Sequence, residues 1–464
     1  MTSSIIPEKC LWNEIDQVGI VVPEQERPDH DHTDFDVVII GAGYTGLWTA
    51  FYLHLNDPSL KIALLEKNTI GYGASGRNGG WCSTIMPMSL DSIAKQHGRI
   101  QAIAMQNAMF ATLKEIRDRT TALGIDCDFV QGGSIEVLRT ENQCDRAKSR
   151  VKHLREYGFG ENFYQLLDRD QTLDIIEASQ TLGGLLDTQS AVLHPKKLCV
   201  GLANVVRAQG TKIFENTDVL AYSSGQVETL HRTYRAATVL RTTEAFSVNF
   251  SQAKRSVIPL YSMMVATEPL SADVWSEIGL ESRPSFNDGR NMIIYGQRTA
   301  DHRLAFGGRG APYHFGSKIS TDSDFNQGVA QRLRTTLVDL FSVLERTEFT
   351  HHWGGPLAAP RDWTFNISYN PATGLGSAGG YVGDGVATSN LAGRTLADLV
   401  CDKSTDITRL PSVNHSSKKW EIEPLRFVAV NSLTKLAMLA DWREERTGRP
   451  ARLINAVIDK ISGG

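Results

Sequence analysis

Three glycines and one acidic residue near the amino terminus have types and spacing that suit dinucleotide binding. Gly41, Gly43 and Gly46 follow an apolar run that opens at Asp36, and Glu66 comes twenty residues after the last glycine. The first glycine permits a tight turn, the second lets a pyrophosphate approach the backbone, and the third lets a helix pack close to the strand. The helix N-terminus offers free N–H groups and partial positive charge to the phosphates. Glu66 is therefore interpreted as the acceptor for ribose hydroxyls.

The elements around these residues make the interpretation specific, because a bare GxGxxG pattern is common. An apolar strand precedes the glycines, an apolar helix follows at once, and a second apolar strand over 61–65 ends on Glu66. This order predicts the first βαβ unit of a Rossmann-type α/β domain. The pattern alone does not separate FAD from NAD.

Two further segments identify the cofactor through a resemblance. Residues 71–81, the flavin loop, read GYGASGRNGGW, and residues 380–397 read GYVGDGVATSNLAGRTLA. On these stretches the chain resembles the D-amino acid oxidase superfamily of flavoenzymes, which includes glycine oxidase and sarcosine oxidase. The ASGRNGG run most resembles the branch of gamma-glutamylputrescine oxidoreductase. The resemblance extends from about residue 34 to 410 and implies fold and FAD, but it does not specify a substrate.

The resemblance implies a two-domain α/β fold, in which a Rossmann-type FAD-binding domain is joined to a discontinuous substrate domain built on an antiparallel sheet plus helices. The predicted division is an N-terminal arm over 1–33, an FAD-binding domain over 34–90, 186–260 and 350–410, a substrate domain over 91–185 and 261–349, and C-terminal helices over 411–464. Apolar residues in the tail fit packed helices, and a helix lying on a membrane surface is the less favoured alternative.

The same resemblance implies which residues surround FAD. The helix expected to begin near Gly383–Asp384–Gly385 would direct its N–H groups and dipole at the flavin N1 edge, where the reduced ring carries negative charge. Ordinary helix capping at Asp384 and a plain core strand at Val219 are the alternative interpretations. The predicted cofactor residues are Gly41, Ala42, Gly43, Tyr44, Thr45, Gly46, Glu66, Lys67, Gly73, Ala74, Ser75, Gly76, Arg77, Asn78, Gly79, Gly80, Trp81, Val219, Gly354, Gly383, Asp384, Gly385, Val386, Ala387 and Thr388.

Four residues are candidates for catalysis. Trp81 and Trp353 would wall the flavin or substrate pocket, although a tryptophan in a core position is an equal alternative. Arg309 would bind a substrate carboxylate or form a structural salt bridge. His352 would be a base if one were needed, but oxidation of a neutral amine does not require it.

Two departures from relatives affect the expected chemistry. Some family members tether the flavin through a cysteine near the C-terminal motif, but residues 356–380 contain none, so FAD is expected to be non-covalent. Sarcosine oxidases use a lysine over the flavin to help oxygen react, and Ala305 falls at that place in a rough alignment. Fast oxidase behaviour is therefore not implied, and the expected electron acceptor is O₂ or another acceptor, as in a dehydrogenase.

Bulk properties exclude several function classes. The net charge of −4 and pI near 6.3 provide no field that attracts nucleic acid. No window is apolar enough for a transmembrane helix. Six scattered cysteines form neither CxxC nor a zinc pattern, which favours reduced thiols in a cytoplasmic setting, and no metal is expected. His30 and His32 are interpreted as part of a solvated linker. The oligomeric state is not specified by the sequence.

The leading hypothesis is an FAD-dependent amine oxidase or dehydrogenase. A small-molecule amine would be oxidised to an imine, which water hydrolyses to an aldehyde or keto product. Oxidation of a 2-hydroxy acid on the same fold is the second hypothesis and needs a base such as His352. A flavin-binding subunit without a substrate of its own is the third. An aromatic hydroxylase is disfavoured because Gly383–Asp384 is not followed by His-Pro, and a disulfide reductase because CxxxxC is missing.

Overall fold

The computed structural model describes residues 5–14, 33–447, 450, 451 and 454, so the predicted linker histidines lie outside the described residues. In chain order the strands are β1 (Asp34–Ile40), β2 (Ile62–Leu65), β3 (Trp81–Ser83), β4 (Ser134–Leu138), β5 (Tyr164–Leu167), β6 (Gly183–Asp187), β7 (Ser190–Val192), β8 (Lys212–Phe214), β9 (Val219–Ser223), β10 (Gln226–Thr229), β11 (Thr233–Arg241), β12 (Val257–Thr267), β13 (Ser285–Asn287), β14 (Ile294–Arg298), β15 (Leu304–Gly308), β16 (Phe349–Pro360), β17 (Asn366–Asn370) and β18 (Leu375–Gly379). The α-helices are α1 (Tyr44–Asn56), α2 (Leu90–His97), α3 (Arg99–Ala122), α4 (Glu141–Glu156), α5 (Arg169–Leu173), α6 (Pro195–Ala208), α7 (Ala272–Ile278), α8 (Gln327–Leu340), α9 (Gly385–Val400) and α10 (Leu425–Thr447).

The first sheet has the topology expected of a dinucleotide-binding domain. Its strands run in the order β17-β18-β11-β1-β2-β8, and β10 extends it by pairing with β11 and β9. β1 pairs in parallel with both β2 and β11. Val38 and Ile39 in this central strand are fully buried, which explains why it reads as an uninterrupted apolar run. The turn from β1 into α1 therefore opens at the carboxyl edge of a parallel sheet, where ligands bind in such folds.

The second sheet runs in the order β16-β12-β15-β14-β13-β4-β6-β5. Its pairs are antiparallel except for β13 with β4, which pair in parallel. β12 and β16 pair along nearly their whole length. Helix α8 contributes Leu333 and Leu337 to a core that also contains Val265 and Phe306. The predicted fold class, with its largely antiparallel second sheet, is confirmed.

Helices α1 and α9 are in unusually close contact. A Cβ on Gly393 would lie 2.9 Å from the backbone nitrogen of Thr49, so only glycine allows this approach. Asn390 donates a hydrogen bond to the hydroxyl of Tyr52 at 3.0 Å across the same interface. The two helices begin at the edge of the first sheet, so their packing controls the spacing of two helix N-termini at the predicted cofactor site.

Some sequence predictions differ from the structure in detail. The predicted boundary between residues 260 and 261 lies inside β12, and the one between 349 and 350 lies at the start of β16. Both strands belong to the second sheet, and the domain division itself stays a prediction. In the described part of the tail, 411–447 contains one long helix, α10, and the remainder that was predicted helical lies largely outside the described residues.

The sequence predicts no transmembrane helix and reduced cysteine thiols. Among the described residues, the helices are too short or too polar to cross a bilayer. All six cysteines are free thiols. The cytoplasmic setting stays a prediction.

Candidate cofactor site and active site

The turn after β1 has the backbone that the glycine pattern predicts. Gly41 has a φ of +104°, a conformation that glycine adopts freely. A Cβ on Gly46 would lie 2.1 Å from the carbonyl oxygen of Gly41, so a side chain there would hold α1 off the turn. The hydroxyl of Ser75, in the flavin loop, accepts a hydrogen bond from Tyr44 N at 2.9 Å. The N-terminus of α1 is thus joined to the flavin loop by a direct hydrogen bond, and both segments line the same cavity.

Glu66 stands at the end of β2 beside this turn. One carboxylate oxygen accepts a hydrogen bond from Ala42 N at 2.9 Å, and the other accepts from Asn68 N at 2.9 Å. Burial raises the pKa of Glu66, and these two N–H donors act in the opposite direction. Lys67 forms an ion pair with Asp218 at 2.8 Å on the same side of the cavity. The acid is therefore fixed where the sequence predicts a ribose contact.

Asn78 stabilises the flavin loop through hydrogen bonds to other residues of the loop. Its amide nitrogen donates to the carbonyl oxygens of Ala74 at 3.1 Å and Ser75 at 2.9 Å, and its side-chain oxygen accepts from Gly80 N at 2.7 Å. The neighbouring Gly79 has no room for a side chain, because a Cβ would lie 2.4 Å from the ring of Tyr295. The loop is thus a tightly packed segment rather than a free surface turn.

Arg77 lies beside the cavity without lining it. Its guanidinium pairs with the carboxylate of Asp324, and its Cζ lies 4.4 Å from the ring centroid of Tyr72. Both charged side chains are largely buried. Proximity to Asp324 raises the pKa of Arg77, in opposition to its burial. The structure therefore accounts for Arg77 as half of an internal ion pair, and its predicted contact with the cofactor remains a prediction.

The N-terminus of α9 lies at the other end of the cavity, as the sequence predicts. Gly383 has a φ of +113°, and Asp384 is the N-cap residue, but it makes no side-chain capping hydrogen bond. Burial raises the pKa of Asp384 to about 7, and the charge of Arg309 acts in the opposite direction. The Tyr381 hydroxyl, just before this helix, lies 2.9 Å from the hydroxyl of Thr45 in α1.

Arg309 follows β15 and points toward this helix start. Its guanidinium donates to the carbonyl oxygen of Val382 at 2.7 Å and lies near the ring of Trp363. Burial lowers the pKa of Arg309, and Asp384 and Tyr295 are the charged or ionisable groups that oppose this effect. Within the part of the chain that the structure describes, no carboxylate forms a close ion pair with it. This cation therefore has capacity for an anionic ligand.

Trp81 and Tyr295 form a pair of aromatic side chains next to the flavin loop. The indole nitrogen of Trp81 donates to the hydroxyl of Ser190 at 2.8 Å, and its ring centroid lies 6.2 Å from that of Tyr295. The Tyr295 hydroxyl lies 2.8 Å from the hydroxyl of Ser262. Trp81 is thus half-buried and oriented by a hydrogen bond, close to the loop but off the main cavity wall.

The structure does not bring His352 into the cavity. It lies on β16, where its Nδ1 donates to the carbonyl oxygen of Pro7 at 3.0 Å and its Nε2 is buried without a partner. The next residue, Trp353, points to the opposite side, and its indole nitrogen donates to the carbonyl oxygen of Arg77 at 2.8 Å. Trp353 is thus a support of the flavin loop, and His352 contacts the N-terminal arm.

A cavity of about 540 Å³ joins these parts, a size typical of cofactor sites. It passes from the glycine turn and Glu66 to the N-terminus of α9. The predicted cofactor residues that line it are Gly41, Gly43, Tyr44, Thr45, Glu66, Lys67, Gly73, Ala74, Ser75, Asn78, Val219, Gly383, Gly385 and Val386. Two helix N-termini, an acidic residue of the ribose-binding type and glycines without space for Cβ atoms fit a long dinucleotide such as FAD.

Other predicted residues do not line this cavity. They are Ala42, Gly46, Gly76, Arg77, Gly79, Gly80, Trp81, Gly354, Asp384, Ala387 and Thr388, together with the catalytic candidates Arg309, His352 and Trp353. Several of these positions are constrained by packing. A Cβ on Gly76, for example, would lie 2.2 Å from the carbonyl oxygen of Gly71.

Residues after β11 line the cavity and were not predicted. Thr242, Thr243, Glu244 and Phe246 belong to this group. Glu244 accepts hydrogen bonds from Gly380 N at 2.9 Å and Tyr381 N at 3.1 Å, and burial raises its pKa to about 7. Because β11 is a parallel neighbour of β1, its carboxyl end reaches the same edge of the sheet. A prediction that β11 lies next to β1 would therefore have identified these residues as part of the site.

Comparison with known proteins finds relatives of this chain. A sequence profile of the DAO family, described as FAD dependent oxidoreductase, matches residues 36–399. The chain is 29% identical over 379 residues to a probable oxidoreductase, OrdL, of Haemophilus influenzae, which covers 79% of this chain and 82% of the relative. It is also 29% identical over 376 residues to gamma-glutamylputrescine oxidoreductase of Escherichia coli, covering 79% and 83% of the two chains.

Among solved structures, glycine oxidase from Geobacillus kaustophilus is similar in fold. It superposes with a TM-score of 0.69 over 83% of this chain and 100% of its own, at 23% sequence identity. At that identity the likeness concerns the fold.

Proposed function

The chain belongs to the DAO family of FAD dependent oxidoreductases, and on that premise we propose that it oxidises the C–N bond of a small amine or amino acid. The product is an imine, which water hydrolyses to an aldehyde or keto compound and ammonia or a smaller amine. The relatives support this class of substrate, because one is named for an amine, gamma-glutamylputrescine, and one is a glycine oxidase.

The residues that would hold FAD are those on the cavity wall. The N-terminus of α1 and Ser75 would bind the pyrophosphate, Glu66 the ribose, and Val219 the adenine end. The N–H groups at the start of α9 would face the flavin ring. When bound, FAD supplies the acceptor for the electron pair and hydrogen that leave the substrate.

The observation that carries the proposal is the half-buried side chain of Arg309 next to the start of α9. It donates to Val382 O and has no close carboxylate partner among the described residues. A substrate carboxylate would complete its hydrogen bonding, because arginine binds carboxylates through paired N–H donors. Trp81 and Tyr295 would shield the apolar part of such a substrate. We therefore favour an amino acid or another amine that carries a carboxylate.

The 2-hydroxy-acid alternative lacks a supporting feature in the site. That chemistry requires a base for the hydroxyl proton, and the histidine considered for it, His352, is buried under the N-terminal arm with Nδ1 bonded to Pro7. Amine oxidation starts from the neutral amine and needs no such base.

The electron acceptor is proposed to be O₂, giving H₂O₂, or another carrier. Ala305 lies fully buried in β15, paired with Ala266. An alanine has no charge to assist oxygen, so we expect slow reoxidation in air and favour a carrier. FAD is proposed to be non-covalent.

The test is anaerobic bleaching of the oxidised-flavin absorption band by a panel of amino acids, amines without a carboxylate, and 2-hydroxy acids. Bleaching by amino acids, with release of a keto product, supports the proposal. Bleaching by 2-hydroxy acids alone contradicts it, and so does a flavin that no member of a broad amine panel reduces. Admitting air afterwards and measuring H₂O₂ separates O₂ from another acceptor.

A further inference from the structure

Residues 5–14, the described part of the N-terminal arm, cover the free edge of the second sheet. His352 N in the edge strand β16 donates to the carbonyl oxygen of Pro7 at 2.9 Å, and Glu8 and Lys9 form bridges with the same residue. Ile6 is 1% exposed and Trp12 is 2% exposed. The arm precedes the segment matched by the family profile, which begins at residue 36. It lies outside the matched segment, and its buried side chains belong to the core of this chain.

Trp12 connects the arm to the flavin loop. Its indole nitrogen donates to the carbonyl oxygen of Asn78 at 2.7 Å. Trp353 makes the equivalent hydrogen bond to the preceding carbonyl, that of Arg77, at 2.8 Å. The two indoles pack edge to face, with ring centroids 5.9 Å apart, and Trp12 also lies against His194 at 4.9 Å. Two consecutive carbonyls of the loop are thus held by a pair of buried tryptophans.

A series of hydrogen bonds continues from Trp12 to the cofactor cavity. Asn78, whose carbonyl accepts from Trp12, donates through its side chain to the carbonyl oxygen of Ser75 at 2.9 Å. The Ser75 hydroxyl accepts from Tyr44 N, at the start of α1. Asn78, Ser75 and Tyr44 all line the cavity, whereas Trp12 does not. Trp12 can therefore affect the shape of the cofactor site through the loop, without touching the cavity itself.

We propose that Trp12 is a positioning residue for FAD and that the arm holds the flavin loop in its cofactor-binding conformation. The energetic reason is that a buried carbonyl deprived of its donor is costly. Without the indole N–H, the Asn78 carbonyl would favour conformations in which it reaches water, and these displace Ser75 from the N-terminus of α1. Part of the binding free energy of FAD would then be spent on restoring the loop.

The first test is Trp12→Phe in the full-length chain, because phenylalanine keeps an aromatic ring but has no N–H donor. We expect the dissociation constant of FAD, measured by titration of the apoprotein, to rise about tenfold. The matched control is Trp275→Phe in α7, whose indole donates to the carbonyl oxygen of His302 at 3.0 Å, outside the cofactor site. Its FAD affinity should match that of the wild type. Equal affinities in the two variants would overturn the proposal.

The second test needs no substitution and applies even if Trp12→Phe fails to fold. If the arm stabilises the FAD-binding loop, FAD must stabilise the arm to the same degree, because coupling is reciprocal. Hydrogen exchange of the peptide over 5–14, followed in the wild-type apoprotein and holoprotein, should slow severalfold on FAD binding. Asn13 N and Glu14 N are suitable probes, since both are hydrogen-bonded within the arm. Exchange that FAD leaves unchanged would contradict the proposal.

Discussion

At the scale of single residues, the buried polar groups differ in whether a partner already satisfies them. Arg77 is neutralised by Asp324, whereas Arg309 has a backbone carbonyl as its close partner. Asp187, which does not line the cofactor cavity, has one carboxylate oxygen bonded to Gln189 N at 2.7 Å and the other buried without a partner. Within the described residues, Arg309 and Asp187 lack a partner that balances their charge within the fold. The behaviour of these two groups should therefore depend on a bound ligand or on pH.

Replacing Arg309 with lysine should affect substrates according to whether they carry a carboxylate. Lysine keeps the charge but loses the planar pair of donors, so we expect KM for the best amino acid to rise about tenfold or more. KM for an amine without a carboxylate should change little. Steady-state kinetics on both substrates checks this, with Arg298→Lys, away from the cavity, as the control. An equal rise for both substrates would mean that Arg309 acts on the cofactor instead.

Asp187→Asn should make stability less dependent on pH. Burial raises the pKa of Asp187 to about 7, whereas in the unfolded chain it is about 4. The folded state therefore holds a proton that the unfolded chain has lost between these values, and the contribution of this group to stability falls as the pH rises through that window. Asparagine keeps the acceptor for Gln189 N and cannot ionise.

The expected result for Asp187→Asn is a gain in unfolding free energy, relative to the wild type, that grows by about 1–3 kcal/mol from pH 5 to pH 8. Urea denaturation at several pH values measures it. Asp170→Asn, at a side chain that is 92% exposed, is the control and should show a flat difference. A flat difference for Asp187→Asn as well would show that Asp187 ionises normally in the folded protein.

At the scale of elements, the cofactor site depends on two helices that start beside it. α1 begins after the glycine turn and α9 after Gly383, and the Thr45–Tyr381 hydrogen bond connects their N-terminal ends. Their contact is tight at Gly393, where a Cβ would lie 2.7 Å from the Cβ of Trp48. Because the neighbouring atoms include backbone of α1, a side chain at 393 must move one helix against the other.

Gly393→Ala should therefore lower stability and FAD affinity together. Overpacking of a tight contact costs about 1–3 kcal/mol, and a shift of α9 would move its N-terminus away from the flavin ring. Gly328→Ala, in the first turn of α8, is the control, because its Cβ would meet no atom closer than 3.4 Å. Thermal unfolding and FAD titration of both variants measure the effects. A Gly393→Ala protein as stable as the wild type would refute tight packing of α1 on α9.

At the scale of the whole molecule, segments distant in sequence meet around the flavin loop. Asp324, just before α8, pairs with Arg77 in the loop, and Trp353 in β16 donates to the same residue's carbonyl. The N-terminal arm adds Trp12 from a third direction. The loop is thus held by elements that pack on the second sheet, while it serves a cavity at the edge of the first.

Asp324→Asn should weaken the attachment of the flavin loop to the elements that pack on the second sheet. It leaves the guanidinium of Arg77 buried without its counter-charge, and breaking a buried pair in this way costs about 3–5 kcal/mol. Urea denaturation of the apoprotein measures the loss. The double variant Arg77→Met, Asp324→Leu should lose less than the single one, because no charge is left unpaired. Asp118→Asn, in an exposed pair with Lys114, should change stability little, because solvent screens that pair. Comparable losses at Asp324 and Asp118 would contradict the buried-pair interpretation.

The parts of the fold and site that follow from local sequence were predictable. A turn between β1 and α1 needs glycine at fixed spacing, and the acid at the end of β2 comes one βαβ unit later, so chain connectivity alone brings Glu66 to Gly41. The start of α9 at Gly383–Gly385 is local in the same way. The apolar runs of β1 and β2 were predictable in the same way, whereas the boundary predicted between 260 and 261 falls inside the single strand β12.

Sequence by itself therefore determined the strand–turn–helix, the acid, the flavin loop and, through them, the family and its FAD. Only the tertiary structure decided that His352 lies under the arm, that Arg77 is paired with Asp324, and that Arg309 is not. It also placed Glu244 and Trp12 beside or behind the cavity. The physical reason is that these contacts join residues far apart in the chain, and their partners depend on how strands align between elements rather than on any local periodicity.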